Sequence, residues 1–200
     1  NEVHVWFVNL DLEVAVKMHS FIEILSQEEY ERACRFAFPS LKNRFLAARA
    51  SLRLILSHYT KNRPQDIQFC YGEYGKPALT KNNRIKFNLS HSGGSAAYAV
   101  SYESDVGIDI EQVREDIYST DIEQLCLSIS ERKILEKLPL QERIQDFYSL
   151  WTCKEALLKG LGCGLEYPLT KIEVDISDLS YPQIKTDILN LNDWMLYPLS

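Results

Sequence analysis

Short stretches of the chain alternate apolar and polar residues with a period of two, which is typical of strands with one buried face. Longer stretches repeat apolar residues every three or four positions, which is typical of helices that pack one side on a core. The predicted strands are 3–10, 67–71, 85–90, 95–102, 106–111 and 170–176. The predicted helices are 26–37, 40–59, 119–127, 130–137 and 141–160. This order predicts an α+β fold with mainly antiparallel strands.

The predicted elements form two comparable groups, and each group contains one long helix. We therefore predict an N-terminal half, 1–102, and a C-terminal half, 103–200. A chain of 200 residues is long enough to bury a sizeable core in one domain or in two small halves.

The stretch "VGIDIEQV" places two acids inside an apolar, β-branched run. In a strand, Ile108 and Ile110 would point to one face, and Asp109 and Glu111 to the other. Two neighbouring carboxylates repel each other, and Mg²⁺ would offset that repulsion because it binds carboxylate oxygens. The alternative interpretation is an ordinary exposed strand face.

The stretch "WTCKEALLK" belongs to the predicted helix 141–160. At helical spacing, Trp151, Glu155 and Lys159 share one face. A surface Glu–Lys pair would account for the two charges. Aromatic residues at positions 147 and 151 instead favour a partly enclosed site around the acid and the base.

Two further stretches offer phosphate-binding groups. In "FNLSHSGG", Ser90 and His91 stand at a strand end, where a hydroxyl, an imidazole and free backbone N–H groups suit phosphate oxygens. A lone histidine is also common as a structural residue. In "EYGKPAL", Gly75 and Pro77 predict a turn.

The charge distribution limits the class of ligand. The net charge of −6 argues against non-specific nucleic-acid binding. From Arg32 to Gln65, however, the chain has eight Lys or Arg and no acid, which indicates either a small anionic ligand or a solvated helix face. No apolar run reaches the length of a membrane span. The five scattered cysteines form no CxxC pair, which favours reduced thiols and a cytoplasmic protein.

Four stretches, taken in order, resemble the motifs of the 4′-phosphopantetheinyl transferase superfamily, in its longer single-chain, Sfp-type class. They are "YGKPAL", "FNLSHSGG", "VGIDIEQV" and "WTCKEALLKGLGCGL". The resemblance implies a pseudo-twofold pair of similar α+β halves with the ligand in the cleft between them. It implies transfer of 4′-phosphopantetheine from coenzyme A to a carrier-protein serine, with release of adenosine 3′,5′-bisphosphate.

The resemblance also implies roles for individual residues. The implied catalytic residues are Asp109, Glu155 and Lys159. The implied metal ligands are Asp109, Glu111 and Glu155. The implied coenzyme A contacts are Arg32 and Arg44 near the 3′-phosphate, Gly75, Lys76 and Pro77 near the adenine end, and Ser90, His91 and Lys159 at phosphates. Arg49 is expected either to touch the ligand or to hold the halves together.

The implied cofactor is Mg²⁺, with Mn²⁺ as an alternative, and coenzyme A is the co-substrate. The implied partner is an apo acyl or peptidyl carrier protein, and no nucleic acid or membrane is expected. We expect a cytoplasmic monomer. The missing initial Met and the incomplete last strand indicate a segment truncated at both ends.

Three other classes of protein remain as alternatives. A non-catalytic relative would hold coenzyme A or a carrier protein without transfer, although the chain keeps the complete set of acids and Lys159. A Mg²⁺-dependent pyrophosphate hydrolase would use similar acids, but the chain has no Nudix-like box. A purely structural protein would not need charged groups at each of these positions.

Overall fold

The computed structural model describes residues 2–81, 84–164, 167–178, 180–186 and 191–199. The chain forms two compact units, unit 1 (Asn1–Ile110) and unit 2 (Glu111–Ser200). Residues 103–110, assigned above to the C-terminal half, thus belong to unit 1. The strands of unit 1 are β1 (Val3–Asn9), β2 (Phe69–Tyr71), β3 (Pro77–Leu79), β4 (Ile85–Ser92) and β5 (Ser95–Tyr102). Its helices are α1 (Leu10–Ile24), α2 (Gln27–Ala33) and α3 (Pro39–Thr60).

Unit 1 is organised on an antiparallel sheet in the order β1-β5-β4, with β2 and β3 as a separate antiparallel pair. One face of the sheet packs on α1 and α3 through a core that includes Phe21, Leu52, Leu56 and Tyr98. The Tyr98 hydroxyl donates to the Ala48 carbonyl oxygen at 2.9 Å, so this buried ring also satisfies its polar atom.

The opposite face of the sheet is covered by an extended segment and not by another strand. Val106 and Ile108 are buried against Ala97 and Ala99 of β5. Burial of each of these two side chains contributes roughly 1.5–3 kcal/mol. The predicted strand 106–111 is wrong, because these residues form no ladder with a neighbouring strand. Side-chain packing on β5 buries them, and hydrogen bonds with the side chains of Asn88 and Lys76 hold their backbone.

Unit 2 contains the helices α4 (Thr120–Cys126), α5 (Ile129–Leu135) and α6 (Leu140–Leu161). Its described strands are β6 (Val174–Asp175) and β7 (Gln183–Ile184), which pair antiparallel. Among the described elements, the long helix α6 contributes the most residues to the core, including Phe147, Leu150, Leu157 and Leu158. The chain is therefore α+β with antiparallel strands and one 22-residue helix in each unit, α3 and α6, as predicted.

Three further sequence predictions need correction, and the first is the incomplete last strand, because residues 193–199 form no strand. The helix α1 was not predicted, and the strand expected at 170–176 is limited to Val174–Asp175. None of the described helices combines the length and the apolar character needed to cross a membrane.

Candidate active site

The strand β4 and the segment that follows β5 meet at Asp109. Ser90 is buried, and its hydroxyl donates to Asp109 Oδ1 at 2.7 Å. Two residues earlier on the same strand face, Asn88 Oδ1 accepts the backbone N–H of Ile108 at 2.9 Å. These two side chains of β4 fix both the backbone before Asp109 and the carboxylate of Asp109 itself.

The predicted Ser90–His91 pair is divided between the two faces of β4. Because side chains alternate along a strand, His91 lies on the face opposite Ser90, and its side chain is exposed. The structure therefore brings Ser90 to Asp109 and does not bring His91 there.

The turn predicted in "EYGKPAL" (73–79) is confirmed only before Pro77, because Pro77–Leu79 form strand β3, which was not predicted. Gly75 has a φ of 79°, and its N–H donates to the Gly72 carbonyl at 3.0 Å, so a residue without a Cβ is favoured at this position. Lys76 Nζ donates to the Val106 carbonyl at 3.3 Å, and Pro77 begins β3. Lys76 thus links this turn to the segment that ends at Asp109.

The predicted 3′-phosphate ligand Arg44 is paired with a carboxylate. Its Nε donates to Asp11 Oδ1 at 2.7 Å, and its Nη2 donates to Asp11 Oδ2 at 2.8 Å. The hydrogen bond from Arg44 lowers the pKa of the Asp11 carboxyl. Arg32, the second predicted ligand, is exposed on α2 with its guanidinium carbon 5.4 Å from the centre of the Phe45 ring.

Two further arginines of the basic stretch are structural. Arg49 Nη2 and Arg53 Nε lie 2.6 and 2.7 Å from the carboxylate oxygens of buried Glu29. Arg53 Nη1 also donates to the carbonyls of Pro64 and Ile67, each at 2.9 Å. Through Glu29, these two arginines join α2 to α3 of unit 1, and the ligand contact of Arg49 stays a prediction.

In unit 2, α6 presents Glu155 and Lys159 as half-buried side chains. One turn before Glu155, the Trp151 ring lies 5.5 Å from the ring of Phe147 and 5.8 Å from that of Tyr148, measured between centroids. An aromatic cluster therefore lies beside the predicted acid and base.

A lysine next to Glu155 is buried at the centre of unit 2. Lys154 has no exposed surface, and its ammonium lies 2.5 Å from Glu131 Oε2. It also donates to the carbonyls of Cys126 and Leu169, at 3.0 and 3.2 Å. Burial lowers the pKa of Lys154, and the charge of Glu131 opposes that effect. This network anchors α6 at the position immediately before Glu155.

The three predicted metal ligands are distributed between the units. Asp109 is half-buried in unit 1, whereas exposed Glu111 and half-buried Glu155 belong to unit 2. Among the residues that the structure describes, no three His, Cys, Asp or Glu side chains form a metal-binding group. The magnesium site stays a prediction.

Sequence reasoning missed three residues that the structure places beside the predicted ones. The sequence could have indicated Asn88, because this residue stands two positions before Ser90 and shares its strand face. The sequence could also have indicated Lys154, because this charged residue falls within the apolar stripe of α6. Nothing in the sequence indicated Asp11, because its helix α1 was not predicted.

Models of two known families match this chain, one in its N-terminal part and one in its C-terminal part. A model described as the 4′-phosphopantetheinyl transferase superfamily matches residues 105–197. A model described as the N-terminal part of 4′-phosphopantetheinyl transferase matches residues 14–103.

Individual relatives are also named 4′-phosphopantetheinyl transferases, and each matches this chain over most of its own length. The 4′-phosphopantetheinyl transferase HetI of Nostoc sp. is 35% identical over 192 residues, which cover 93% of this chain and 79% of HetI. AcpT of Escherichia coli K12 is 36% identical over 75% of this chain and 73% of its own length. Sfp of Bacillus subtilis is 32% identical over 77% of this chain and 67% of Sfp. These matches confirm the resemblance found in the motifs, and the chain belongs to the 4′-phosphopantetheinyl transferase superfamily of enzymes.

Proposed function

We propose that this enzyme transfers 4′-phosphopantetheine from coenzyme A to a serine of an acyl or peptidyl carrier protein, in a Mg²⁺-dependent reaction that releases adenosine 3′,5′-bisphosphate. The names of its relatives support the identity of the transferred group. The donor, the acceptor and the metal are supported by the motifs and by the local geometry of each unit.

The observation that carries the proposal is the 2.7 Å hydrogen bond from Ser90 Oγ to Asp109 Oδ1. It joins the predicted phosphate-binding end of β4 to the predicted metal-binding acid. Metal-binding carboxylates commonly accept such a bond from a second residue, which orients the oxygens. Asp109 therefore has the support expected of a metal ligand.

The proposed ligands of the metal are Asp109, Glu111 and Glu155. Their carboxylate oxygens are the donors that Mg²⁺ and Mn²⁺ prefer, and Mg²⁺ keeps part of its coordination for water and substrate phosphate. When bound, the ion supplies positive charge to the pyrophosphate oxygens.

In the proposed reaction, the serine oxygen of the carrier protein attacks the β-phosphorus of coenzyme A. A new P–O bond forms, and the bond from that phosphorus to the bridging pyrophosphate oxygen breaks. Adenosine 3′,5′-bisphosphate takes the bonding electrons and leaves. Glu155, or a water that it orients, takes the serine proton, and the ammonium of Lys159 stabilises the leaving phosphate oxygen.

The proposal is tested by incubating the enzyme with coenzyme A, Mg²⁺ and a panel of apo carrier proteins, and measuring intact carrier mass. We expect at least one carrier to gain a single phosphopantetheine. Glu155→Ala should abolish this gain, and Glu142→Ala, which removes an exposed acid from the same helix, should not. For Lys159→Ala, the matched control is Lys133→Ala on α5.

Other outcomes support different functions. Binding of coenzyme A without any gain of carrier mass would indicate a non-catalytic binding module. Release of phosphopantetheine to water in the absence of a carrier would indicate a pyrophosphate hydrolase.

A further inference from the structure

The pair formed by Arg44 and Asp11 is a candidate determinant of ligand affinity. Asp11 is the second residue of α1, and it takes two donors on one edge of the guanidinium, Nε and Nη2. Phosphate oxygens seek the same fork of N–H donors as a carboxylate does. A phosphate that approaches Arg44 must therefore displace Asp11 or bind beside its negative charge.

The pair is seated on the turn between β4 and β5. The N–H of Leu10 donates to the Gly94 carbonyl at 2.7 Å, which ties the start of α1 to this turn. A Cβ placed on Gly94 would lie 2.4 Å from Asp11 Oδ2 and 3.6 Å from Arg44 Nη2. A residue without a side chain is thus what lets the Asp11 carboxylate lie over the turn that follows Ser90 and His91.

We infer that Asp11 is an internal counter-ion that competes with the 3′-phosphate of coenzyme A for Arg44 and so sets the affinity for ligands that carry this phosphate. The inference rests on the proposed function, in which Arg44 contacts the 3′-phosphate. The side chains of Arg44 and Asp11 are 32% and 58% exposed. Exposed ion pairs are weak, so Asp11 reduces the affinity without preventing binding.

The competition acts on the product as well as on the substrate. Adenosine 3′,5′-bisphosphate keeps the 3′-phosphate. By lowering the affinity of Arg44 for this phosphate, Asp11 therefore also favours release of the product. 3′-Dephospho-coenzyme A lacks the phosphate, and its affinity should not depend on Asp11.

The test is calorimetric titration of Asp11→Asn with coenzyme A, adenosine 3′,5′-bisphosphate and 3′-dephospho-coenzyme A. Asparagine keeps an oxygen that accepts from Arg44 and removes the charge. We expect the Kd of the first two ligands to fall roughly threefold to fivefold. The Kd of 3′-dephospho-coenzyme A should stay at its wild-type value, and added salt should reduce the difference between variant and wild type.

The matched control is Asp66→Asn. Asp66 accepts hydrogen bonds from Nε and Nη2 of Arg63, as Asp11 does from Arg44. The substitution Asp66→Asn should leave the affinities for all three ligands unchanged. Asp11→Ser serves as a second variant, and thermal melts confirm that each variant is folded.

Arg44→Ala separates failure of the inference from failure of the proposed contact. If Arg44→Ala weakens coenzyme A and its 3′-dephospho form equally, Arg44 does not contact the 3′-phosphate, and the inference falls with that contact. If Arg44→Ala is selective but Asp11→Asn leaves coenzyme A binding unchanged or weaker, Asp11 is not a competitor, and the inference alone is overturned.

Discussion

Among the residues predicted as metal ligands, Asp109 has surroundings in unit 1 that fit this role. A buried serine donates to its carboxylate at 2.7 Å, and Asn88 holds the backbone immediately before it. Neither contact is needed to bury apolar surface. Both restrict the direction in which the carboxylate oxygens point.

Ser90→Ala tests whether the hydroxyl orients a metal ligand. Loss of such a supporting group typically reduces metal affinity or activity by about 10- to 100-fold. We expect the Mg²⁺ concentration that gives half-maximal transfer to rise by that order while the thermal midpoint changes little. The control is Ser101→Ala, which removes another buried serine from the neighbouring strand β5. Wild-type Mg²⁺ dependence in Ser90→Ala would contradict the orienting role.

At the residue scale, the sequence singled out candidate side chains but did not predict what those side chains contact. Ser90 and Asp109 were both singled out, but their contact spans 19 positions and depends on how a segment folds back over β4. The pairing of Arg44 with Asp11 spans 33 positions and depends on α1. Contacts of this kind come from tertiary packing, which local residue patterns do not encode.

Among the elements, α2 and α3 are joined by one buried cluster of charges. Burial alone would raise the pKa of Glu29, but Arg49, the N–H of Ser26 and Arg53 together lower it below its usual range. A carboxyl whose pKa is lowered on folding stabilises the protein above its unfolded pKa. That contribution is lost as the pH falls through about 4 and below.

Glu29→Gln should therefore lower the free energy of unfolding at pH 7 by about 3 kcal/mol, because two buried guanidinium groups lose their counter-charge. It should also flatten the decrease in stability between about pH 5 and pH 3. Urea unfolding across this pH range measures both effects, with exposed Glu28→Gln on the same helix as control. A wild-type dependence on pH in Glu29→Gln would show that another group causes the acid sensitivity.

The helix α6 depends on a second buried charge pair. Lys154→Met should cost about 3–5 kcal/mol, because Glu131 would stay ionised and buried without its partner. Glu131 also accepts the N–H groups of Ser128 and Val174, so the double variant Lys154→Met/Glu131→Gln should recover part of the loss. Denaturant titrations measure both, with exposed Lys133→Met as control. An unchanged free energy of unfolding in Lys154→Met would exclude the anchoring role.

Whether an element was predictable depended on what stabilises it. The helices α3 and α6 were predicted because their apolar stripes face cores of their own units. The segment 106–110 has the alternation of a strand, but its backbone bonds to the Asn88 side chain and not to a strand. The helix α1 contains four β-branched residues, and its N-cap Asn9 is itself the last residue of β1, so local propensity did not indicate it.

On the scale of the whole molecule, the predicted ligands are divided between two units with separate cores. Unit 1 carries Asp109, Ser90, Lys76 and the predicted contacts of the 3′-phosphate, and unit 2 carries Glu111 with the residues of α6 that are proposed to be catalytic. This division was not visible in the motifs, which place Asp109 and Glu111 in one stretch of sequence. It follows from the packing of Val106 and Ile108 on β5.

The division predicts different properties for two fragments. The fragment Asn1–Ile110 contains a complete core and is long enough to fold alone, so it should give a cooperative thermal transition by circular dichroism. It should bind adenosine 3′,5′-bisphosphate, and Arg44→Ala in the fragment should weaken that binding. Neither this fragment nor Glu111–Ser200 should modify an apo carrier protein, because each lacks part of the proposed carboxylate set.

Full-length protein that carries Asp109→Ala is the control that distinguishes the contribution of this acid from that of the rest of unit 1. It should stay folded and bind adenosine 3′,5′-bisphosphate as wild type does, yet transfer no phosphopantetheine, because the binding contacts are present and one metal ligand is missing. Asp105→Ala, which removes an exposed acid four positions earlier, should transfer normally. Transfer by Asp109→Ala at a near-normal rate, or by Glu111–Ser200 alone, would remove Asp109 from the reaction and assign the chemistry to unit 2.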